Sequence, residues 1–176
     1  EMVDISRRAA ILKKVKGDPY AFVPYTIQDG DTMEMIAYHY YGDAGLSWLV
    51  AIANDVIDPY CDFWKESNEL EKFIANKYAE EAKKDLNLMY APEDSQVITW
   101  TKNVNISTNV KYYYSNENIN IQISPATQAT YPSNEFIALR YYDYEVAENE
   151  KKRNINLISD VYVNQIIDEM KTVLND

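Results

Sequence analysis

Hydrophobic and polar positions between Tyr25 and Pro59 predict the order strand, helix, helix, strand. Residues 25–27 alternate as a short half-buried strand does, and residues 29–32 provide a turn and a helix N-cap. The first helix has an apolar stripe at the i, i+3, i+4, i+7 spacing and is expected to end at Gly42 in the left-handed conformation. This stripe consists of Met33, Ile36, Ala37 and Tyr40.

The second helix of this stretch, from Leu46 to about Ala53, is apolar on nearly every side, with Ser47 as its polar interruption. A helix of that kind must be covered on more than one face. Two strands and one short helix cannot cover it alone. The pattern therefore indicates a neighbour, either a later part of this chain or another protein.

An amphipathic helix is also predicted for residues 2–16, before the break at Gly17-Asp18-Pro19. One side of this helix carries Ile5, Ala9, Leu12 and Val15. Basic residues surround that side, which makes the segment the basic patch of an acidic chain. Two arrangements remain open: an arm that docks on a partner, and an arm that folds back on its own core.

The chain after the central stretch contains an aromatic loop, a helix and several strands. The loop Pro59–Trp64 either caps the core or presents its side chains to a neighbouring subunit. Ser67 or Asn68 is expected to begin a helix that runs to about Lys84. Runs rich in β-branched and aromatic residues then predict a small antiparallel β-meander. Its strands are residues 97–100, 104–114 and 119–123.

The C-terminal part is predicted to contain a helix over about residues 133–153, a strand-like run over residues 154–158 and a final amphipathic helix. The final helix has the cleanest helical periodicity in the chain. Its apolar side consists of Val163, Ile166, Ile167, Met170, Val173 and Leu174. This side either docks on another subunit or packs on the chain's own sheet.

These patterns together predict an α+β protein with a βααβ module, long flanking helices, a small antiparallel β-meander and a C-terminal amphipathic helix. The predicted segments are an N-terminal helical arm (1–24), the βααβ module (25–64), a helix and connector (65–95), the β-meander and a loop (96–132), and a C-terminal helical docking region (133–176).

Composition narrows the classes of function. The 176 residues carry a net charge of −11, and a field of that sign repels nucleic acid. No apolar run reaches the roughly 18 residues that span a bilayer, and the first residues lack a signal-peptide pattern, so neither a membrane anchor nor secretion is expected. Cys61 is the single cysteine, which excludes an internal disulfide and fits assembly in a reducing cytoplasm. Sixteen Tyr and three Trp indicate either aromatic protein interfaces or a tyrosine-rich surface and core without a partner.

The inventory of reactive residues predicts no enzyme, no metal site and no cofactor. One His, one Cys and four Gly do not suffice for metal binding, acyl transfer or a phosphate-binding loop. His39 lies between two tyrosines in a predicted helix and is expected to be structural. Asp29 and Asp31 are explained as turn and cap residues, and Glu80 and Glu81 as a solvated helix face. Neither pair is therefore assigned to glycoside hydrolysis.

At the central stretch the chain resembles a LysM module, through Gly30-Asp31-Thr32, Tyr41-Gly42 and the apolar helix that closes on Asn54. The wider chain resembles a narrower family, the LysM-containing baseplate wedge protein of contractile-tailed bacteriophages, the gene product fifty-three family. Four patches carry this second resemblance: Tyr40-Tyr41-Gly42-Asp43 leading to Trp48; Asn54-Asp55 with Asp58-Pro59-Tyr60; Tyr131-Pro132; and Tyr144-Glu145 through Glu148-Asn149-Glu150-Lys151 to Arg153.

This resemblance implies a LysM-like fold for the βααβ module and a structural, non-enzymatic role in the tail baseplate of a virion assembled in the host cytoplasm. The chain would join other wedge proteins, and symmetry-related wedges around a central hub, through protein–protein contacts. A few buried apolar and aromatic anchors would then supply most of the binding energy. The candidate anchors are Tyr41, Trp48, Tyr60, Phe63, Trp64, Val163, Ile167, Met170 and Leu174.

The alternative function implied by the LysM resemblance is binding of peptidoglycan or chitin. Most LysM modules hold N-acetylglucosamine polymers in a groove beside the first helix and the loop before the last strand. The matching positions are Gly30, Asp31, Thr32, Asn54 and Ile57. The single copy of the module, the lack of a predicted signal peptide and the lack of an attached hydrolase favour the scaffold over glycan binding.

Overall fold

The computed structural model describes residues 17–18, 20–128, 130–132 and 135–175. The predicted helix over residues 2–16 lies outside this part of the chain. The described residues divide into two compact units, a first unit of residues 17–64 and 152–175, and a second unit, Lys65–Lys151. The first unit therefore combines most of the predicted βααβ module with the end of the predicted C-terminal docking region.

Helices and short antiparallel strands make this an α+β protein, which confirms the predicted class. The elements in chain order are β1 (Phe22–Thr26), α1 (Met33–Tyr41), a 3-10 turn (Ala44–Leu46), α2 (Ser47–Ala53), α3 (Pro59–Asp62), α4 (Ser67–Asp85), α5 (Asp94–Lys102), β2 (Val110–Ser115), β3 (Gln122–Ile123), α6 (Pro125–Gln128), β4 (Phe136–Arg140), α7 (Tyr141–Lys151), β5 (Asn154–Ile158) and α8 (Asp160–Asn175).

Helix α1 begins and ends at the predicted cap residues. The Thr32 hydroxyl accepts a hydrogen bond from the backbone N–H of Met35 at 3.3 Å, which satisfies one of the free donors of the first turn. Gly42 has φ 76°, and its N–H donates to the Tyr38 carbonyl at 3.0 Å. The four residues of the predicted stripe all pack in or against one apolar cluster, so this helix prediction is confirmed.

The strand that pairs with β1 is not the predicted one. A strand before Pro59 was expected, but residues 54–58 form a turn in which Asp55 has φ 55°. Strand β5 pairs with β1 instead, antiparallel, with Phe22 opposite Ile158 at one end of the ladder. The prediction was wrong because strand pairing is not restricted to neighbours in sequence. The βααβ order of the first unit is completed by a strand that follows the second unit.

Helix α2 is the centre of the first unit. Its Val50 lies in an apolar cluster with Ile27 and Leu157, and its Leu49 lies in a second cluster with Ile166 of α8. All five side chains are almost completely buried. The inner face of α2 is therefore covered by this chain itself, on one side by the sheet and on the other by α8.

The second unit packs α4, α5 and α7 around the cluster that contains Ile74, Ala75 and Trp100. Helix α4 confirms the predicted helix. The strand predicted at residues 97–100 is wrong, because these residues belong to α5. Glu93 and Gln96 form a capping box at the start of α5. The buried side chains of α5, at positions 97, 100 and 101, are three and four residues apart, as on one face of a helix.

The first half of the predicted strand 104–114 is also wrong, and its residues form an irregular loop. The side chain of Asn109 is fully buried and donates to the carbonyls of Trp100 at 2.7 Å and Asn103 at 2.8 Å. The Arg140 guanidinium donates to two further carbonyls, of residues 104 and 106. The side chains of Asn109 and Arg140 thus supply hydrogen bonds to backbone carbonyls that a neighbouring strand would otherwise have bound. Strand β2 therefore begins only at Val110.

Strand β4 occupies residues for which a helix was predicted. Phe136–Arg140 pairs antiparallel with β2, and the helix that was predicted over residues 133–153 begins only at Tyr141. The sheet order is β3-β2-β4, so the three strands do not form the predicted meander. The cross-strand pairs with β2 override the local helical preference of β4.

Candidate functional site

An apolar groove of about 570 Å³ lies on the first unit, and we call it the α2–α8 groove. Its walls are formed by Trp48, Ala51 and Ile52 of α2, by Val56, Ile57 and Pro59 of the following loop, and by Ile167, Met170 and Lys171 of α8. The lining offers few polar groups that could orient a small polar ligand. Such a groove suits the apolar side chains of a polypeptide.

Helix α2 forms one wall because its two faces are used differently. Leu49 and Val50 point into the unit and are completely buried, whereas Trp48 and Ala51 remain partly exposed. The indole of Trp48 packs against the cluster of Leu49 while still lining the groove. The neighbour that the sequence predicts for this apolar helix is therefore a later part of the same chain, β5 and α8, and the side of α2 that carries Trp48 and Ala51 remains partly exposed.

Helix α8 forms the opposite wall. Its predicted apolar side is also divided, one part facing the core of the unit and the other facing the groove. Val163 and Ile166 are buried against α2, which shows that this helix packs on its own unit. Ile167 and Met170, one turn further on, are partly buried and line the groove. The side chain of Leu174, also predicted as an anchor, lies outside the described part of the chain.

The loop after α2 is held by hydrogen bonds in a conformation that exposes Ile57. The carboxylate of Asp62 accepts from the backbone N–H groups of Ile57 at 3.0 Å and Asp58 at 2.9 Å. Asp58 in turn caps α3 by accepting from the N–H of Tyr60. Ile57 is consequently 83% exposed at the rim of the groove, although it is an apolar residue in an ordered turn.

Asn54 fixes the other end of this loop to β5. Its side-chain amide donates to the carbonyls of Val50 and Asn156, both at 2.8 Å, and its side-chain oxygen accepts from the N–H of Asn156 at 2.8 Å. The Asn54 side chain thus makes the two hydrogen bonds to the backbone of Asn156 that a neighbouring strand would make at the edge of β5. The loop that carries Ile57 is therefore anchored to both α2 and the sheet.

Tyr41 was predicted as an interface anchor, and the structure places it at an internal contact. Its hydroxyl accepts a hydrogen bond from the backbone N–H of Ile158 at 3.0 Å, and its ring packs edge-on against that of Tyr40 at 4.9 Å between centroids. Burial raises the pKa of Tyr41 to about 12. The residue connects α1 to β5 and lies apart from the groove lining.

The aromatic residues after α2 divide between core and surface. Phe63 and Trp64 are buried in the cluster that contains Val50, and the guanidinium of Arg153 stacks over the Trp64 ring at 4.5 Å. Tyr60, in contrast, is about half exposed on α3. Phe63 and Trp64 thus cap the core, and Tyr60 is the member of this loop that presents its ring at the surface.

The positions predicted for glycan binding are largely engaged in internal hydrogen bonds. The Asp31 carboxylate accepts from the Tyr25 hydroxyl at 2.7 Å and from the Gln28 N–H at 2.8 Å. Thr32 caps α1, and Gly30 has φ 90° in the preceding turn. With Asn54 bound to β5 and Ile57 at the α2–α8 groove, the five positions do not present free polar groups to one ligand.

The described residues contain no group of three or more His, Cys, Asp or Glu that could hold a metal ion. His39 is exposed in the last turn of α1, beside Tyr38. Within the same part of the chain, no helix is both long enough and apolar enough to cross a lipid bilayer.

From the sequence, we did not identify five of the residues that line the groove, Ala51, Ile52, Val56, Pro59 and Lys171. The sequence pattern predicts a helix to about Ala53 and a strand between it and Pro59. An asparagine followed by an aspartate after a helix is itself a turn pattern, and it could have indicated that the chain reverses here.

Comparison with protein families gives one match that spans nearly the whole chain. The family described as base plate wedge protein 53 matches residues 1–173. The match includes both described units.

Two curated proteins match only a short part. Both are described as esterases, from strains CDC 1551 and H37Rv of Mycobacterium tuberculosis, and each is 47% identical over 38 residues. These residues are 22% of this chain and 8% of each esterase. So short a match does not transfer the activity of the whole mycobacterial protein.

Proposed function

This chain belongs to the base plate wedge protein 53 family, and from that premise we propose that it joins wedge subunits, and adjacent wedges, through protein–protein contacts. Membership of this family makes it a structural component of a phage tail baseplate, and hence of the virion. We also propose that the protein acts without catalysis, as one of several symmetry-related copies around a central hub, after assembly in the host cytoplasm.

The observation that carries this proposal is the α2–α8 groove with Ile57 exposed at its rim. An ordered apolar concavity, bordered by an exposed aliphatic side chain, is typical of protein interaction sites. Trp48, Ile167 and Met170 already lie in the groove, so a partner side chain would be desolvated on several sides at once. Of the predicted anchors, these three and the half-exposed Tyr60 are the ones that we propose to contact wedge partners.

We further propose that the first unit is a LysM-like module with an interrupted sequence. In support, β1, α1 and α2 follow one another in the order of such a module, and β5 pairs antiparallel with β1. The second unit would then be an insertion before the last strand of the module. Because of this insertion, the last strand of the module lies after the second unit in sequence, and not before Pro59 as predicted.

Glycan binding remains the alternative for this module, and the hydrogen bonds of Asp31, Thr32 and Asn54 argue against it. A glycan-binding groove needs polar groups that are free to meet sugar hydroxyls. Titration of the purified chain with chitin oligomers is expected to give no binding at micromolar concentrations. Saturable binding at that strength, together with no affinity for wedge proteins, would replace the scaffold proposal.

The scaffold proposal is tested with Ile57→Asp. Because Ile57 is 83% exposed, the substitution should leave the fold intact. A charge at the groove rim should weaken binding to the other purified wedge proteins by roughly 10-fold or more, because it would be buried in an apolar contact. The measurement is co-sedimentation or calorimetry with those wedge proteins.

The matched control is Val161→Asp. Val161 is 81% exposed on the same unit, and it does not line the groove. It receives the same aliphatic-to-carboxylate change and should bind wedge proteins as the unaltered chain does. Equal binding by Ile57→Asp and the unaltered chain would remove the groove from the interface.

A further inference from the structure

The second unit carries a cleft of about 450 Å³ between the end of α4 and α5, and we call it the α4–α5 cleft. Its volume lies within the range of clefts that take up a ligand. Leu86, Trp100 and Ile106 supply apolar lining, and five polar residues, among them Asp85, supply the rest. The cleft therefore suits a group that is apolar along its length and polar at its end.

The Asp85 carboxylate in this cleft is held in one orientation by two other side chains. Its Oδ2 accepts hydrogen bonds from the Trp100 indole N–H and from the Thr108 hydroxyl, both at 2.7 Å. These bonds, first that of Thr108 and then that of Trp100, lower the pKa of the Asp85 carboxyl. The group is therefore an anion at neutral pH, and its position is set before any partner binds.

The charge of Asp85 has no counterpart among the described residues. No basic side chain in this part of the protein forms an ion pair with it, whereas Glu71 and Glu145 of the same unit each pair with a lysine. Lys83 and Lys84, its neighbours in sequence, lie outside the cleft lining. The other carboxylate oxygen, Oδ1, accepts no hydrogen bond from a described residue. A fixed carboxylate with one oxygen available attracts a positively charged group.

Arginine is the cation that this lining favours. Its planar guanidinium can donate to Oδ1 of Asp85 and to a second acceptor at the same time. It is also less strongly hydrated than the ammonium of lysine, so it loses less hydration on entering a cleft with apolar walls. Its methylene chain can pack against Leu86 and Ile106 while the charged end reaches the carboxylate.

We propose that the α4–α5 cleft binds an arginine side chain of another protein, with the guanidinium on Asp85 and the methylene groups against Leu86 and Ile106. The net charge of −11 favours a partner that carries positive charge over a second copy of this chain. The identity of that partner as a wedge protein rests on the proposed function, but the site itself does not. It is distinct from the α2–α8 groove, because the two are lined by different residues on different units.

The first test is titration of the full chain with N-acetyl-arginine amide, followed through the indole N–H signals of its three tryptophans by NMR. The Trp100 signal should shift saturably in the millimolar range, because this N–H donates directly to Asp85. Trp48 and Trp64 lie in the first unit and should not shift, so they serve as internal references. N-acetyl-citrulline amide, which has a similar shape and no charge, should leave all three signals unchanged.

The variant for this titration is Asp85→Asn, which keeps an oxygen that can accept from Trp100 and Thr108 and removes the charge. It should bind the arginine amide roughly 10-fold more weakly or worse. Asp94→Asn makes the same change at an exposed carboxylate of α5 outside the cleft lining and should bind as the unaltered chain does. Equal binding by Asp85→Asn and Asp94→Asn would overturn the proposal. So would equal Trp100 shifts with the arginine and citrulline amides, a comparison that needs no variant to fold.

The second test measures binding of the same two variants to the purified wedge proteins, beside Ile57→Asp. Asp85→Asn should weaken binding to at least one wedge protein by roughly 10-fold, and Asp94→Asn should not. If the arginine amide binds but no wedge protein distinguishes the two variants, the cleft takes a small cation and the proposed protein partner is wrong. Ile57→Asp reports on the α2–α8 groove separately, so failure of the cleft proposal is distinguishable from failure of the scaffold proposal.

Discussion

The hydroxyl of Tyr41, at the end of α1, accepts a hydrogen bond from the backbone N–H of Ile158, at the end of β5. The two residues are 117 positions apart in sequence. This bond satisfies the backbone N–H of Ile158, the last residue of β5. The side chain of Ile158 is almost completely buried. A residue that resembles a surface aromatic in the sequence therefore closes the sheet of the first unit.

Replacement of Tyr41 by Phe should destabilise the first unit by about 1–2 kcal/mol, because the N–H of Ile158 is left buried without a partner. The free energy of unfolding from denaturant titration, and exchange of the Ile158 amide, measure this effect. Tyr38→Phe on the same helix removes an exposed hydroxyl and should change neither quantity. Equal stability of the two variants would show that the bond contributes nothing.

Replacement of Asn54 by Ala should cost about 2–3 kcal/mol, since three hydrogen bonds between the loop and its neighbours are lost. Amide exchange in β5 should rise with the same substitution. Asn156→Ala is the matched control, because the bonds to Asn54 use only the backbone of Asn156. If both alanine variants unfold at the same denaturant concentration, the side chain of Asn54 does not hold the loop.

In the second unit, Glu145→Gln should destabilise the fold by about 1–3 kcal/mol. The Glu145 carboxylate is buried and accepts from the Tyr78 hydroxyl at 2.6 Å and the Lys77 ammonium at 2.8 Å. Glu148→Gln, on the same helix, breaks an exposed ion pair with Lys151 and should change stability by well under about 1 kcal/mol. Thermal unfolding of the two variants checks this difference.

Alkaline pH should destabilise the protein through its buried tyrosines. Burial raises the pKa of Tyr41 to about 12, and burial with a hydrogen bond to Asp31 raises that of Tyr25 to about 12. Burial, with a hydrogen bond to Glu145, also raises the pKa of Tyr78. The unfolded chain, with tyrosine pKa values near about 10, then loses protons first, so stability is complete below about pH 10 and falls above it.

The contribution of Tyr41 to this fall can be measured separately. Between about pH 10 and pH 12, the denaturant midpoint of Tyr41→Phe should decline less steeply than that of the unaltered chain, because one raised pKa is absent. Tyr38→Phe provides the reference. A steeper decline for Tyr41→Phe would show that the sign of the linkage is opposite.

Helix α1 could be predicted because its determinants lie within it. Thr32 caps its start, Gly42 ends it, and its apolar stripe has the helical spacing, so ten or so neighbouring residues are sufficient. The final helix was predicted for the same reason. Its packing against α2, through Val163 and Ile166, was one of two open possibilities and needed the structure to decide.

Strand β5 was predicted at residues 154–158, where it lies, but its pairing with β1 and the bounds of the strands in the second unit could not be predicted in the same way. Alternation over residues 104–110 imitates a strand, but the loop there is held by Asn109 and Arg140, whose polar side chains give no periodic pattern. Of the residues that line the α2–α8 groove, Trp48, Ile167 and Met170 are predicted interface anchors. The remaining wall of the groove depends on the turn after α2, and that turn depends on the distant pairing of Asn54 with β5.

The pairing of β1 with β5 also sets an order of events during translation. Domains generally fold as units while the ribosome is still extending the chain. Lys65–Lys151, a compact unit, is complete before Asn154–Ile158 has been synthesised. Strand β1 must therefore wait for its partner until all of the second unit has been synthesised, so the first unit is the later of the two to be completed.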